Sequence, residues 1–214
     1  MPRSLSPAEI DDFRDRLCDA AERRFAEHGA EAVTIRELAA AIGVSPMPPY
    51  RYFKDKDAIL AAVRARAFDR HAAALERAYD TSPADDPLLR TNAIGEAYVR
   101  FALDHPEAYK LMFDIQQPSA GDYPDLVRAG ERSRATMTRH VRDLMEAGLV
   151  KGDAGLIGHL YWSALHGPLM LHFSGMLPPQ YGARRLIALI SKAVQRLIED
   201  LEDEGEDEGL SVAS

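Results

Sequence analysis

Apolar residues in this 214-residue chain recur at helical spacing almost from end to end, and no stretch alternates as a β-strand does. The first segment shows the pattern most clearly, with apolar side chains every four residues at Phe13, Leu17, Ala21 and Phe25. An amphipathic helix has to bury such a stripe against other elements. The sequence therefore predicts an all-α fold of about nine helices, whose core is built by helix–helix packing.

Capping residues mark several helix starts. Ser6-Pro7-Ala8-Glu9 and Thr34-Ile35-Arg36-Glu37 each place a glutamate three positions after a hydroxyl residue, which is the pattern of a capping box. Gly29 and Gly43 are suited to end these two helices, because glycine readily adopts a left-handed conformation. Further helices are predicted near residues 45–53, 54–79, 88–104, 106–117, 123–147, 153–175 and 180–203.

The net charge of −8 does not exclude a polyanionic partner, because the acidic excess is confined to one end of the chain. Residues 199–214 hold eight Asp or Glu and no Lys or Arg, which predicts a frayed acidic tail. Residues 45–70, by contrast, hold six Lys or Arg against three Asp. A local basic surface therefore remains near the first helices.

The sequence gives little support for an enzymatic function or a metal site. Cys18 is the only cysteine, which excludes a disulfide framework and a cysteine zinc site and favours a reducing compartment. The first seven residues lack the apolar stretch of a signal peptide, so the cytoplasm is the expected location. Gly-x-Ser-x-Gly, phosphate-loop and His-Glu-x-x-His motifs do not occur, and no carboxylate joins His159 and His166 on their helix. We expect no catalytic activity, no cofactor and no metal.

Gly43-Val44-Ser45 separates two short helical segments and predicts a helix-turn-helix. The glycine ends the first helix, the valine fills the gap between the helices, and the serine caps the second. The second helix is then free to enter a DNA major groove with its N-terminal residues toward the base edges.

With these residues, the sequence resembles the tetracycline-repressor (TetR) family of transcription regulators. The likeness is carried by AERRFAEHG at 21–29, TIRELA at 34–39, GVS at 43–45 and YRYFKDKDAIL at 50–60, and it covers residues 8–68 without gaps. In the second half, Trp162-x-x-x-His166-Gly167 and residues 105–113 resemble one subset of the family. The resemblance implies a helix-turn-helix domain of three helices over 1–68, a larger helical ligand-binding and dimerisation domain over 69–204, and a disordered acidic tail over 205–214.

The resemblance also implies a set of DNA-binding residues. Thr34 can offer its hydroxyl and backbone N–H to a phosphate, and Arg51 can read guanine through two hydrogen bonds. Tyr50, Tyr52 and Lys56 match positions that grip the DNA backbone in the family. The full predicted set is Thr34, Arg36, Ser45, Met47, Pro48, Tyr50, Arg51, Tyr52, Lys54 and Lys56.

Met47-Pro48-Pro49 departs from the family pattern, which has small and hydroxylated residues just before the tyrosine. Pro48 stands where the family commonly has a phosphate-binding threonine, and it has neither a hydroxyl nor an N–H to donate. Pro49 also forfeits the first hydrogen bond of the helix. We therefore expect a recognition helix that starts late or is tightly wound, and DNA binding weaker by about one or two phosphate contacts.

No Asp, Glu, Lys or Arg occurs between Asp153 and Arg184. The segment is long enough for a membrane span, but histidines, glycines and Pro168 interrupt it, and a helix buried on every side is the simpler interpretation. The last helix carries one apolar stripe at heptad spacing and further apolar residues beside it. Because the family dimerises through a four-helix interface, we expect a homodimer through the last two helices.

Pro168 is also expected to kink its helix and to open space for a ligand pocket. The predicted ligand-binding residues are Tyr109, Met112, Phe113, Met137, Tyr161, Trp162, His166 and Met170. Each of them, taken singly, is more typical of plain core. An effector bound there would favour a dimer whose recognition helices no longer match the groove spacing.

These features predict a ligand-responsive transcription regulator, most simply a repressor. It would bind a palindromic double-stranded DNA operator as a dimer and be released by a small apolar or aromatic effector. The alternative is a ligand-binding protein of the same fold, whose proline-rich recognition helix gives weak or no specific DNA binding. Sequence-selective and salt-sensitive DNA binding distinguishes the first from the second.

Overall fold

The computed structural model describes the backbone of residues 6–45, 48–114 and 120–211, and the side chains of 6–45, 49–114 and 121–198. The regular secondary structure in these ranges is helical, which confirms the predicted all-α fold. Eight α-helices are present in this described part, where about nine were expected. They are α1 (Pro7–His28), α2 (Ile35–Ala41), α3 (Lys56–Thr81), α4 (Pro87–Asp104), α5 (Pro106–Met112), α6 (Pro124–Glu146), α7 (Ala154–Phe173) and α8 (Ala183–Ser211). Two short 3₁₀ turns span Pro48–Arg51 and Ala120–Asp122.

Both predicted capping boxes are present. The Ser6 hydroxyl accepts the Glu9 N–H at 3.3 Å, and the Glu9 carboxylate accepts the Ser6 N–H at 2.8 Å. Thr34 and Glu37 exchange the same two hydrogen bonds at the same distances. These bonds lower the pKa of both glutamates, because they stabilise the charged carboxylates.

The chain divides into two compact units: residues 1–70 with 105–131, and residues 71–104 with 132–214. The end of the first segment lies close to the predicted boundary between 68 and 69. Residues 105–131, however, belong to the first unit rather than to the expected C-terminal domain. The physical reason is α5, because Leu111 is buried in the same core as the inner face of α1.

The core of the first unit is formed by α1, α2 and α3, with α5 packed against it. Leu17, Leu38 and Ile59 are fully buried there, and burial of each such side chain stabilises the fold by about 1.5–3 kcal/mol. Arg64 of α3 is also buried, and its guanidinium donates to the Leu111 carbonyl at 3.1 Å. It donates to the Met112 carbonyl as well, at 3.3 Å. Arg64 therefore satisfies carbonyl groups that the end of α5 leaves without helical partners.

In the second unit, α6, α7 and α8 share a core that includes Val141, Leu144, Ile157 and Ile198. Gly158 of α7 lies so close to α6 that an added Cβ would be 2.9 Å from the Met137 carbonyl oxygen. A residue without a side chain is therefore required where these two helices meet.

α7 contains Pro168 in its interior, as the sequence predicts. Two helix ends differ from the sequence predictions. α5 ends at Met112 instead of near residue 117, and the predicted residues 115–117 lie outside the described ranges. α8 extends to Ser211, where a disordered acidic tail was expected from residue 205. Glutamate is a good helix former, so an acidic composition does not by itself stop a helix.

Candidate DNA-binding surface and ligand cavity

The predicted turn follows α2 and is fixed by backbone and side-chain hydrogen bonds. Gly43 has a φ of +74°, in the left-handed region that favours glycine. The Val44 N–H donates to the Ala39 carbonyl at 3.0 Å. Arg16 of α1 donates to the Ile42 carbonyl at 2.9 Å. Sequence reasoning missed Arg16, because nothing in the spacing of α1 shows that a surface arginine reaches the end of α2.

The recognition element is a 3₁₀ turn over Pro48–Arg51 instead of an α-helix. The N–H groups of Tyr52 and Phe53 both donate to the Pro49 carbonyl, at 3.0 and 2.9 Å. A 3₁₀ turn is wound more tightly than an α-helix and is rarely longer than about four residues. The tight winding expected of the recognition element is thereby confirmed.

Several predicted DNA-contact residues are exposed around this turn. Arg36, Arg51 and Lys54 are exposed, and the described residues give none of these three cations a salt bridge. Tyr50 exposes 56% of its surface. Tyr52 is half-buried, with its ring centroid 5.1 Å from that of Phe13. Ser45 is exposed, Pro46 and Met47 lie outside the described residues, and so does the side chain of Pro48.

The other two predicted phosphate contacts, Thr34 and Lys56, already bind protein groups. The Thr34 hydroxyl donates to the Glu37 carboxylate at 2.9 Å. The Lys56 ammonium donates to the carbonyls of Ala30 and Glu31, at 2.7 and 3.2 Å. Lys56 therefore ties the start of α3 to the connection between α1 and α2. An ammonium group has three N–H donors, so one donor is left for a phosphate.

A cavity of about 470 Å³ lies in the second unit between α4, α6, α7 and α8. This volume is within the range of small-molecule sites. The buried lining residues, called the floor below, include the apolar side chains Ile94, Val99, Met137, Leu144, Leu165 and Ile187. The exposed lining residues, called the rim, are Leu88, Asn92, Glu96, Arg184, Ala188, Lys192 and Gln195. Thr91, Gly95, His140, Tyr161 and Ser191 complete the lining.

Two polar pairs belong to this cavity. Arg184 donates to both carboxylate oxygens of Glu96, at 2.9 and 2.8 Å. Nδ1 of His140 lies 3.2 Å from the Thr91 hydroxyl, and its Nε2 has no hydrogen-bond partner among the described residues. Burial lowers the pKa of His140 to about 4, so the ring is neutral near pH 7.

Two family models match the chain. Residues 17–63 match the model described as "Bacterial regulatory proteins, tetR family". Residues 91–197, half of the chain, match "Tetracyclin repressor-like, C-terminal domain". The chain belongs to the TetR family. The resemblance inferred from the helix-turn-helix motif is thereby confirmed.

Individual relatives and solved structures are also similar to this chain. The HTH-type transcriptional regulator Rv1816 of Mycobacterium tuberculosis is 26% identical over 144 residues, which are 66% of this chain and 59% of that protein. The alignment thus spans less than two thirds of the relative's length. A structure of a protein with unknown function from Rhodococcus sp. RHA1 is 30% identical, with a TM-score of 0.74, and the match covers 92% of this chain and 98% of that one. The TetR family transcriptional regulator PfmR from Thermus thermophilus shares the fold at 22% identity, with a TM-score of 0.64 and coverage of 86% and 97%.

The named relatives can be compared with the two functional expectations from the sequence, that the protein is not an enzyme and that it regulates transcription. The relatives named above with a stated role are transcriptional regulators, which agrees with the expectation of a non-enzyme. They also give no support to the alternative of a ligand-binding protein without specific DNA binding.

Within the described residues, no helix combines the length and apolarity needed to cross a membrane. The same residues contain no cluster of three or more His, Cys, Asp or Glu side chains arranged to hold a metal ion.

The cavity brings together only part of the predicted ligand set. Met137 and Tyr161 line it. Tyr109, Met112 and Phe113 belong to the first unit instead, where Tyr109 and Met112 are buried as core. Trp162, His166 and Met170 lie on α7 but do not line this cavity. Sequence reasoning missed Thr91, His140 and the polar residues of α8. The α8 residues could have been predicted from the sequence, because they recur at helical spacing on one face of the helix, at Arg184, Ala188, Ser191 and Gln195.

Trp162 and His166 of the predicted subset motif are joined through a buried tyrosine of α4. The Trp162 indole N–H donates to the Tyr98 hydroxyl at 2.9 Å, and His166 Nδ1 lies 3.3 Å from the same hydroxyl. Tyr98 itself is fully buried. Residues four apart on a helix lie on one face, so the spacing of the motif suits two groups that hold one hydroxyl. This arrangement explains the two side chains as a structural link between α4 and α7.

Proposed function

We propose that this TetR-family protein is a repressor that binds a palindromic DNA operator as a homodimer and releases it when a small effector binds. The observation that carries the proposal is a set of exposed cations around a helix-turn-helix to which the described residues give no salt bridge, Arg36, Arg51 and Lys54. Phosphate contacts of this kind provide much of the affinity of DNA-binding proteins. A regulator of this type would act in the cytoplasm.

Roles within the DNA surface follow from the chemistry of each group. Arg51, at the end of the 3₁₀ turn, would read a guanine in the major groove. Tyr50, Tyr52 and Lys54 would contact the sugar–phosphate backbone around it, and Arg36 would approach from α2. Thr34 and the remaining N–H of Lys56 would bind phosphates at the edge of the surface. Ser45, Met47 and Pro48 would lie against the groove.

Dimerisation is supported by an apolar surface on the last two helices. Leu156 and Leu171 of α7 and Leu189 and Leu197 of α8 are exposed by 57%, 42%, 59% and 46% of their surface. Exposed apolar side chains that form a contiguous patch typically mark an association site. A two-fold interface would also place two recognition turns on one face of a duplex, as a palindromic operator requires.

The effector would occupy the cavity of the second unit, with Met137 and Tyr161 among its contacts. We also assign the chain to the subset of the family with the Trp-x-x-x-His-Gly motif, on the strength of Trp162, His166 and Gly167. The link from Trp162 and His166 to Tyr98 supports this assignment, because it gives the motif a structural role next to the cavity residue Val99.

Binding of the full-length chain to the DNA upstream of its own gene tests the proposal. Fluorescence anisotropy is expected to show sequence-selective binding that weakens steeply with salt, and footprinting should show two protected half-sites. Arg51→Ala should reduce specific binding roughly tenfold or more, since a bidentate guanine contact is worth about 1–3 kcal/mol. Arg100→Ala, an exposed arginine of α4, is the matched control and should leave it unchanged. Equal binding to the upstream DNA and to random DNA would contradict the proposal.

A further inference from the structure

We propose that the cavity of the second unit takes an amphipathic monoanion, with an apolar body on the floor and its anionic head at Lys192 on the rim. The inference rests on the proposed function, since it names the chemical class of the effector. It is carried by the separation of the lining into buried apolar residues and exposed charged residues.

The floor accounts for the apolar body. Leu144, Ile94 and Val99 expose 1%, 2% and 4% of their surface. Met137, Leu165 and Ile187 are also buried and line the same space. An apolar group placed against these side chains is removed from water, which gains about 25 cal/mol for each Å² buried. No charged group lies among these buried lining residues, so the head of the ligand has to be elsewhere.

The charged residues of the rim indicate which charge the head group of the ligand carries. Glu96 and Arg184 neutralise each other through their two hydrogen bonds. Lys192 is the remaining charged residue of the lining, and the described residues give it no salt bridge. His140 is neutral near pH 7, so it adds no charge. Among the described residues, the lining therefore carries one uncompensated positive charge, which attracts an anion and repels a cation.

Neighbouring groups can complete the recognition of this head. Ser191 and Gln195 lie within one turn of Lys192 on α8 and line the same cavity. Their hydroxyl and amide groups can donate to anionic oxygens beside the ammonium. Three groups on a single helix would hold the head, and the body would extend toward α4, α6 and α7.

Isothermal titration of the full-length protein with four probes of equal chain length provides the test. Decanoate and decyl sulfate supply two different monoanionic heads, decanol has a neutral one and decyltrimethylammonium a cationic one. At least one of the two anions is expected to bind roughly three- to tenfold more tightly than decanol, because a partly exposed charge pair contributes modestly. The cationic probe should bind most weakly.

Two variants, each with a matched control, test where the head group and the apolar body of the probe bind. Lys192→Met should remove the preference for the anions and leave decanol unchanged, whereas Arg185→Met, an exposed cation that does not line the cavity, should change nothing. Gly95→Leu fills the cavity from α4, where an added Cβ meets no atom within 4 Å. It should abolish binding of every probe, while Gly130→Leu, with equally open surroundings on α6, should retain it.

The inference is overturned if decanol binds as tightly as both anions, if none of the probes binds, or if Lys192→Met leaves the anion preference intact. Operator binding of the same preparations is measured separately by anisotropy. A protein that binds its operator but prefers no anion loses only this inference. A protein that binds the anions but no DNA loses the proposed function instead.

Discussion

His71 and His140 are buried imidazoles whose protonation opposes folding. Burial lowers the pKa of His71 to about 3 and that of His140 to about 4. In the unfolded chain both rings take up a proton near pH 6.5, whereas in the folded protein they stay neutral down to about pH 4. The unfolded state therefore binds more protons in this window, and the free energy of unfolding falls as the pH falls.

Urea unfolding at about pH 7.5 and about pH 5.5 measures this effect. We expect a loss of up to about 1.4 kcal/mol per pH unit for each of the two histidines below pH 6.5. His140→Gln should make the pH dependence shallower. His172→Gln, at an exposed position of α7, should leave it unchanged. Equal slopes in the wild-type protein and in His140→Gln would contradict the buried, neutral state of His140.

The hydrogen-bond partners of Lys56, also a matter of the residue scale, could not be predicted from sequence spacing. Its place at the start of α3 follows from the sequence, and so does its charge. The two carbonyls that it binds lie 25 and 26 residues earlier in the chain. A long flexible side chain has many reachable partners, and only the packed fold decides between a protein carbonyl and a DNA phosphate.

At the scale of elements, the prolines of the recognition turn should weaken DNA binding. A proline at 48 supplies no N–H and no hydroxyl, so the start of the turn has fewer donors for phosphate. Pro48→Thr restores both groups. We expect it to raise operator affinity several-fold and to steepen the dependence of log affinity on log salt concentration by about 0.9 for one added phosphate contact.

Anisotropy titrations at several salt concentrations measure both quantities for Pro48→Thr. Pro87→Thr, at the first position of α4, is the matched control and should alter neither the affinity nor the salt dependence. An unchanged slope in Pro48→Thr would show that the proline does not limit phosphate binding.

Gly158 and Gly167 both lie on α7 but differ in their surroundings. A Cβ on Gly158 would be 2.9 Å from the Met137 carbonyl oxygen and 3.0 Å from Thr138 Cγ2, whereas one on Gly167 meets nothing within 4 Å. Gly158→Ala should therefore lower the free energy of unfolding by about 1–3 kcal/mol. Gly167→Ala should raise it by up to about 1 kcal/mol through helix propensity. Urea unfolding of the two variants gives the comparison, and a neutral Gly158→Ala would contradict the tight packing of α6 against α7.

Helix starts were predictable from the sequence because their causes are local. Ser6 and Thr34 cap their helices through side chains three residues away. The end of α5 was not predictable, since its carbonyls are bound by Arg64 from a distant helix. The cavity was found only in part for the same reason. Met137 and Tyr161 stand out as large side chains, but the grouping of Thr91 with His140 depends on how α4 packs against α6.

At the scale of the whole molecule, α8 presents two different faces. One face of α8 lines the cavity through Ala188 and Lys192. Leu189 and Leu197 are exposed on another, with 59% and 46% of their surface accessible. A ligand in the cavity would therefore contact the same helix that is proposed to hold the partner chain. Because coupling requires a ligand to prefer one arrangement over another, this shared helix would be a direct route between the proposed effector and the proposed dimer.

Leu189→Glu tests the outer face of α8. Two symmetric copies of the charge would face each other across a two-fold interface, where an unpaired buried carboxylate costs several kcal/mol. Sedimentation should therefore show a dimer for the wild-type protein and a monomer for the variant. Operator affinity should fall at least tenfold, since each monomer binds one half-site. Leu89→Glu changes a leucine of α4 that exposes a similar 47% of its surface, and it should remain dimeric. A Leu189→Glu protein that stays dimeric would place the interface elsewhere than on this face, while the cavity face would keep its proposed role.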